Sequence, residues 1–370
     1  MADALKDRFT AAVVHRIAGE IARVAPSFAP DRFVEVCLRG FDDLSLLERA
    51  RAVQRGLVAT LPADFDEAAT ILIASLPPPL ERTEGFGIEV FGYLGHVYFA
   101  ADQGLEHFEP AMRLQYELTQ RFTAEFSLRA FIERHPEATL ARLGAWARDP
   151  SVHVRRLVSE GTRPRLPWAP RLQRFVDDPT PMFGLLTALV DDPEPYVRRS
   201  VANHVNDVSK DHPDIALGWC RSWRRDDGSR DALIRHALRT LVKAGDPGAI
   251  ALLGAAHGHA WAVGGSVDPA VVSPGDAVKV RVMVQNDGAT AMRAIVDVAV
   301  RFARPAGRSA TRVFKGGTFD LQPGATAVTT VSVSLREMST RRHHPGVHPV
   351  EARVNGVATP LGAFELRSGA

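Results

Sequence analysis

The chain has 370 residues, 45% of them hydrophobic and 24% charged, with a formal net charge of +2. At about 150 residues per domain, this is an ordinary globular composition for two or three domains. No stretch approaches the ~20 apolar residues of a membrane span, and the first twenty residues contain acids and no apolar core followed by a cleavage site, so a cytoplasmic protein that meets no membrane is expected. Cys37 and Cys220 are the two cysteines; they are too few for a disulfide scaffold or a structural zinc site and read as buried thiols.

Up to about Leu253 the chain reads as short helices. Val13, Val14, Ile17, Ile21 and Val24 recur at intervals of three and four and predict the first helix; Phe122, Phe126, Leu128, Phe131 and Ile132 predict a later one. On that later helix Arg121, Glu125, Arg129 and Glu133 stand four apart and read as a ladder of exposed ion pairs, worth a few tenths of a kcal/mol each. Breaks fall at Pro77-Pro78-Pro79, Pro136, Asp149-Pro150 and Gly245-Asp246-Pro247.

The helical part repeats itself. DPSVHVRRLVSEG (149–161) matches DPEPYVRRSVANHVND (192–207) at a spacing of 43 residues, and DALIRHALRTLVKAGDP (231–247) is a looser third copy. This period falls in the ~40–47 range of HEAT-type helix pairs. Asp-Pro is expected to open the second helix of each pair, since proline suits the first turn. Stacked pairs would then repeat the arginines Arg155 and Arg156, Arg198 and Arg199, and Arg235 and Arg239, with Arg163, Arg165, Arg171, Arg174 and Lys210 close by. Such a row can track a phosphodiester backbone. It can equally bridge aspartates of the next unit with no ligand at all.

Acids lie among these cations. Glu160 follows Arg156 by four residues and precedes Gly161, which reads as a helix C-cap; Asp207 ends the equivalent helix of the next copy. Adjacent repeats are therefore expected to present both to one cleft. Trp168 sits in SEGTRPRLPWAP, too rich in proline for a helix. It can offer a flat face to a sugar or base, or plug the gap between two repeats.

From Trp261 the period changes to two. Val278, Val280, Val282 and Val284 alternate with polar neighbours, and Val328, Thr330, Ser332 and Ser334 alternate with Ala327, Thr329, Val331 and Val333. Turn signals fall at Ser273-Pro274-Gly275-Asp276, Asn286-Asp287-Gly288, Gln322-Pro323-Gly324 and Asn355-Gly356. About seven strands fit a small immunoglobulin-like sandwich. The expectation is thus a multidomain chain: an all-α HEAT-like helical-repeat solenoid over residues 1–255, then an all-β immunoglobulin-like sandwich over 260–370. Charge follows the division. Residues 1–145 hold 15 Lys and Arg against 21 Asp and Glu, residues 146–255 hold 17 against 14, and residues 256–370 hold 13 against 8. The basic second half permits a polyanionic partner. Within it, residues 339–349 carry Arg341, Arg342, His343, His344 and His348. Pro345-Gly346 is a turn and no carboxylate or thiol completes a metal set, so no metal is expected; a basic loop entering a DNA minor groove suits these residues better.

The run VRRLVSEGTRPRLPW, then VRRSVANHVNDVSKDHPDIALGWC, then IRHALRTLVKAGDP resembles the AlkC branch of the bacterial HEAT-repeat DNA alkylation-repair glycosylases. SEGTRPRLPW carries most of that likeness, which runs through most of residues 1–255; some members of the branch add an immunoglobulin-like domain. The resemblance implies hydrolysis of the N-glycosidic bond of cationic alkylated bases, 3-methyladenine and 3-methylcytosine, in duplex DNA, without flipping the base and with no cofactor. It implies Glu160, Trp168 and Asp207 as catalytic residues, with Glu125 in AEFSLRAF matching a further acid. The arginines and Lys210, together with Arg341, Arg342, His343 and His344, are expected to hold DNA. A charged base leaves without a general acid, and acids would steady the oxocarbenium-like sugar and position water. Without an obvious lysine nucleophile, a monofunctional enzyme is expected, monomeric and nucleoid-associated. The alternative is a non-enzymatic helical-repeat scaffold binding DNA or protein through the same arginines.

Overall fold

The computed structural model describes residues 6–84, 88–258, 260–337 and 342–368. The chain forms two compact units, Met1–Asp211 and His212–Ala370. No helix among the described residues is long and apolar enough to cross a membrane.

The first unit is helical. Its helices are α1 (Ala11–Ala22), α2 (Pro30–Leu38), α3 (Leu46–Thr60), α4 (Phe65–Ser75), α5 (Leu94–Gln103), α6 (Phe108–Thr119), α7 (Glu125–Arg134), α8 (Pro136–Trp146), α9 (Val152–Gly161), α10 (Gln173–Asp177), α11 (Phe183–Leu189) and α12 (Pro195–Val208). A short 3-10 turn, Ile88–Tyr93, precedes α5. The expected stripe of α1 is the buried one: Val13, Val14, Ile17 and Ile21 all face the core. Starts are encoded locally. Ser45 and Glu48 form a capping box on α3, Asp64 accepts from Glu67 N at 2.9 Å on α4, and prolines open α2, α8 and α12.

The repeat at 149 and 192 takes a form different from the expected one. Neither Asp-Pro lies in a first turn, because α9 starts at Val152 and α12 at Pro195. The aspartate instead accepts the backbone N–H two residues on: Ser151 N to Asp149 at 2.8 Å and Glu194 N to Asp192 at 2.9 Å. The arginine six residues later then caps the same turn. Arg155 Nη1 donates to Asp149 O at 2.9 Å and Pro150 O at 3.0 Å, and Arg198 Nη1 donates to Asp192 O and, at 2.8 Å, to Pro193 O. Gly161 is likewise no C-cap. It lies inside α9, where a β-carbon would meet Leu128 Cδ2 at 2.6 Å, so its bareness lets α9 and α7 approach.

The second unit opens with α13 (Pro213–Trp223), α14 (Asp231–Ala237), α15 (Arg239–Ala244) and α16 (Pro247–Leu252). Eight strands follow: β1 (Trp261–Asp268), β2 (Val271–Val272), β3 (Ala277–Asn286), β4 (Met292–Ala303), β5 (Ser309–Leu321), β6 (Thr326–Ser334), β7 (Gly346–Val354) and β8 (Val357–Leu366). They form a three-stranded sheet, β1-β3-β6, and a five-stranded sheet, β2-β8-β7-β4-β5. The alternation is as expected: Val278, Val280, Val282 and Val284 of β3 and Val331 and Val333 of β6 are buried between the sheets. Helix gives way to strand between Leu252 and Trp261, whereas the compact units part after Asp211. The reason is contact: Arg353 Nη1 donates to Lys243 O, Arg293 Nη1 to Leu253 O and Asn355 Nδ2 to Ala256 O, tying the last helices to the strands.

His348, one of the three loop histidines, is a core side chain with no exposure. Its ring stacks on Phe364 at 4.8 Å and its Nδ1 accepts from Ala303 N at 3.1 Å. Arg342 is exposed and His343 and His344 are half-buried, while Arg341 lies outside the described residues.

Candidate active site

Helices α7, α9 and α12 come from successive parts of the first unit, and α9 packs on both others. Their polar residues form one chain of alternating charge. Glu125, the first residue of α7, accepts from Arg156 Nη1 at 2.7 Å. Arg156 Nη2 lies 3.4 Å from Glu160 Oε1, the expected i,i+4 pair of α9. Arg163 Nη1 donates to the same oxygen at 2.7 Å while its Nε donates to Asp207 Oδ2 at 2.8 Å. Lys210 Nζ closes the series on Asp207 Oδ1 at 2.8 Å. Three acids and three cations thus alternate, and one guanidinium joins Glu160 to Asp207.

These groups are withdrawn from water. Glu160 is 6% exposed, Asp207 1% and Arg163 8%. Burial alone would push the Glu160 carboxyl up, but Arg156, Arg163 and a hydrogen bond from Ser200 Oγ at 2.5 Å together hold it below the ordinary carboxylate range. Behind the acids Ser159 Oγ donates to Ser200 Oγ at 2.6 Å, and His204 Nδ1 donates to Ser159 O at 3.0 Å. Arg156 also lies 5.4 Å from the Tyr196 ring centroid.

In front of the acids is a cavity of about 210 Å³, lined chiefly by the aromatic rings Phe91, Phe122, Phe126 and Trp168 with Glu125 and Glu160. No lysine or arginine stands among its described lining residues. Asp207 is not in the lining either; it reaches this cavity only through Arg163. Trp168 is no plug. It is 55% exposed, its backbone is left-handed at φ 63°, and its ring lies 6.4 Å from that of Phe91. A bulky residue with positive φ must be held there by its surroundings. The holder is Arg129, which donates to Arg163 O at 2.7 Å, to Gly161 O at 3.4 Å and to Pro170 O.

The expected ladder on α7 is therefore corrected. Arg129 is 5% exposed and clamps a loop, Glu125 pairs with Arg156, and Arg121 pairs with Glu117 before the helix begins. Three of the arginines expected to hold DNA have carboxylate partners within the protein. Arg155 bridges to Asp192 of the next repeat at 2.6 Å, and Arg156 and Arg163 are spent within the acid chain. Arg199 and Lys210 remain exposed, Arg198 is half-buried, Arg165 forms a surface pair with Asp211 at 2.5 Å, and Arg235 lies in the second unit. Phe91, Ser200 and His204 were not singled out by the sequence, and Arg129 was read only as part of an exposed ladder; their partners are distant in the chain.

This fold and site define a HEAT-like helical-repeat protein with an appended immunoglobulin-like domain. Residues 263–368 match the family described as "Uncharacterised protein YhaZ, C-terminal Ig-like domain". The chain is 31% identical over 360 residues to YhaZ of Bacillus subtilis (strain 168), covering 96% of this chain and 97% of that protein. It is 34% identical to Pseudomonas fluorescens AlkC, an alkylpurine DNA glycosylase solved bound to DNA containing an abasic site analog, with a TM-score of 0.89 over 98% of this chain and 99% of that one. The chain belongs to the AlkC family, alongside YhaZ.

Proposed function

We propose that this protein is a DNA glycosylase that removes positively charged, N3-alkylated bases, 3-methyladenine and 3-methylcytosine, from duplex DNA by hydrolysis and without base flipping. One observation carries the reading: a cavity whose walls are aromatic rings and two carboxylates, with every compensating cation behind them. Such a surface favours a cation over a neutral group. The bonded base carries a positive charge, and that charge passes to the sugar as the base departs. A unit charge ~4 Å from a carboxylate at an effective dielectric of ~20 is stabilised by about 4 kcal/mol before desolvation.

Glu160 and Glu125 face the sugar and stabilise its oxocarbenium character. Glu160 positions the attacking water, and Asp207, outside the cavity, holds Arg163 against Glu160. Trp168 lies against the deoxyribose. The base leaves as a neutral molecule, so no general acid is required, and water takes the anomeric carbon while its proton passes to a carboxylate. Arg165, Arg198, Arg199 and Lys210 supply the phosphate contacts. The AlkC structure solved on DNA supports the same partner.

The test is release of free 3-methyladenine from methylated duplex DNA, separated by chromatography. A protein that only binds DNA releases none. Uracil and hypoxanthine, which carry no charge, should stay in place, and their efficient release would contradict a mechanism that uses the leaving group's charge. Glu160→Gln and Asp207→Asn should slow excision with little loss of DNA affinity, whereas alanine at Arg165 and Arg199 should chiefly weaken binding.

A further inference from the structure

The second unit holds a different cleft, with the opposite electrostatics. Arg235, Arg239 and Lys243 stand four residues apart along α14 and α15 and share one face. Opposite them, Arg293 and Asp297 alternate along β4, and Lys315 of β5 is the cross-strand partner of Asp297. These six line one cavity of about 320 Å³. Five are cations and one an acid, and Arg293 is in addition paired with Asp320, Nε to Oδ1 at 2.7 Å and Nη2 to Oδ2 at 3.1 Å.

The two walls are fixed to each other. Arg353 Nη1 donates to Lys243 O at 3.3 Å and Arg293 Nη1 to Leu253 O at 3.0 Å. Gly245, at the end of α15, packs so closely on Gly356 of the β7–β8 turn that a β-carbon on Gly356 would meet Gly245 Cα at 2.8 Å. The cations therefore cannot relax apart by separating helix from sheet. Asp297 is 7% exposed, beside the bulge at Val296/Asp297, and burial raises its carboxyl above the usual range against the pull of Lys243 and Lys315.

We propose that this cleft binds a phosphate-bearing ligand. A phosphate would bring negative charge to a lining that carries five cations, and an arginine can meet its oxygens through two N–H groups. The volume is at the lower end of small-ligand sites and admits a phosphate with an attached nucleoside. The ligand is a free mononucleotide or a phosphodiester unit of DNA. This inference stands apart from the excision reading, since its residues and those of the acid site belong to different units.

The experiment is calorimetric titration of the full chain with inorganic phosphate, with dAMP and with an undamaged 12-base-pair duplex. One dAMP should bind per chain, and Lys315→Glu and Lys243→Glu, both at exposed positions, should each weaken it by about tenfold or more, equivalent to ~1.4 kcal/mol. Displacement of dAMP by the duplex assigns the cleft to the DNA backbone; simultaneous binding assigns it to a free nucleotide. Absence of phosphate and dAMP binding, or binding that neither substitution weakens, overturns the proposal. Excision plays no part in these measurements, so loss of the glycosylase reading would leave them intact.

Discussion

Arg163 is the link on which the acid chain depends, and Arg163→Met is the perturbation that tests it. The substitution keeps a long side chain and removes the charge. Asp207, 1% exposed, is left with Lys210 alone, while Glu160 retains Arg156 at 3.4 Å and the Ser200 hydroxyl. Removing one partner of a buried ion pair strands the other and costs roughly 3–5 kcal/mol. For a unit of this size each kcal/mol lowers the melting temperature by about 2–4 °C, so a fall on the order of 10 °C is expected. The assay is thermal and urea unfolding followed by far-ultraviolet circular dichroism at pH 7, run as a double-mutant cycle with Asp207→Asn. The double variant carries no stranded acid at 207 and should recover about 2 kcal/mol relative to simple addition. A melting temperature for Arg163→Met within a few degrees of the wild type, or strictly additive losses, would refute the claim that one guanidinium neutralises both acids.

Arg129→Ala should release the loop carbonyls of Arg163 and Pro170, and excision should fall about as far as in Trp168→Ala while DNA affinity changes little; both are read by single-turnover kinetics and fluorescence anisotropy. Burial pushes His204 down to about 4, so between pH 6.5 and 4 the unfolded chain binds the extra proton. Stability should therefore fall as pH drops through that window, by up to roughly 3 kcal/mol for this residue, with Glu160 adding loss lower still; urea midpoints at pH 7, 5.5 and 4.5 measure it. Burial also pushes the thiols of Cys37 and Cys220 up to about 12, so Ellman's reagent should react with neither until the chain is unfolded.

What the sequence made legible was periodicity. The α1 stripe and the β3 valines follow from repeats of 3.6 and 2 that packing cannot easily override, and the structure buries those residues. Pairing was much less legible. Arg155 and Arg156 look alike in VRR, yet neighbours on a helix point about 100° apart. One reaches Asp192, 37 residues on, and the other Glu125, 31 residues back. The ladder on α7 fails for a related reason: the helix starts at Glu125, so Arg121 is not on it, and the face that carries Arg129 turns inward. Local spacing shows which groups share a face but not what that face meets. Trp168 illustrates the limit, since its backbone is left-handed in a loop whose carbonyls on either side Arg129 bonds from another helix.

The alternation of charge explains why cations stand beside a site proposed to handle a cation. A lone glutamate as buried as Glu160 would be driven up by desolvation, take a proton and lose the charge that makes it useful. Arg156 and Arg163 prevent this from behind, and the cavity face is left to rings and acids. The negative field is then in place before any ligand arrives. Arg156→Met removes one of the two cations that keep Glu160 ionised, so the carboxyl should rise. The acid limb of the pH–excision profile should move to higher pH, while the rate at pH 8 should change less. A limb that stays in place would mean that the ion-pair chain supports the fold without setting the charge of the site.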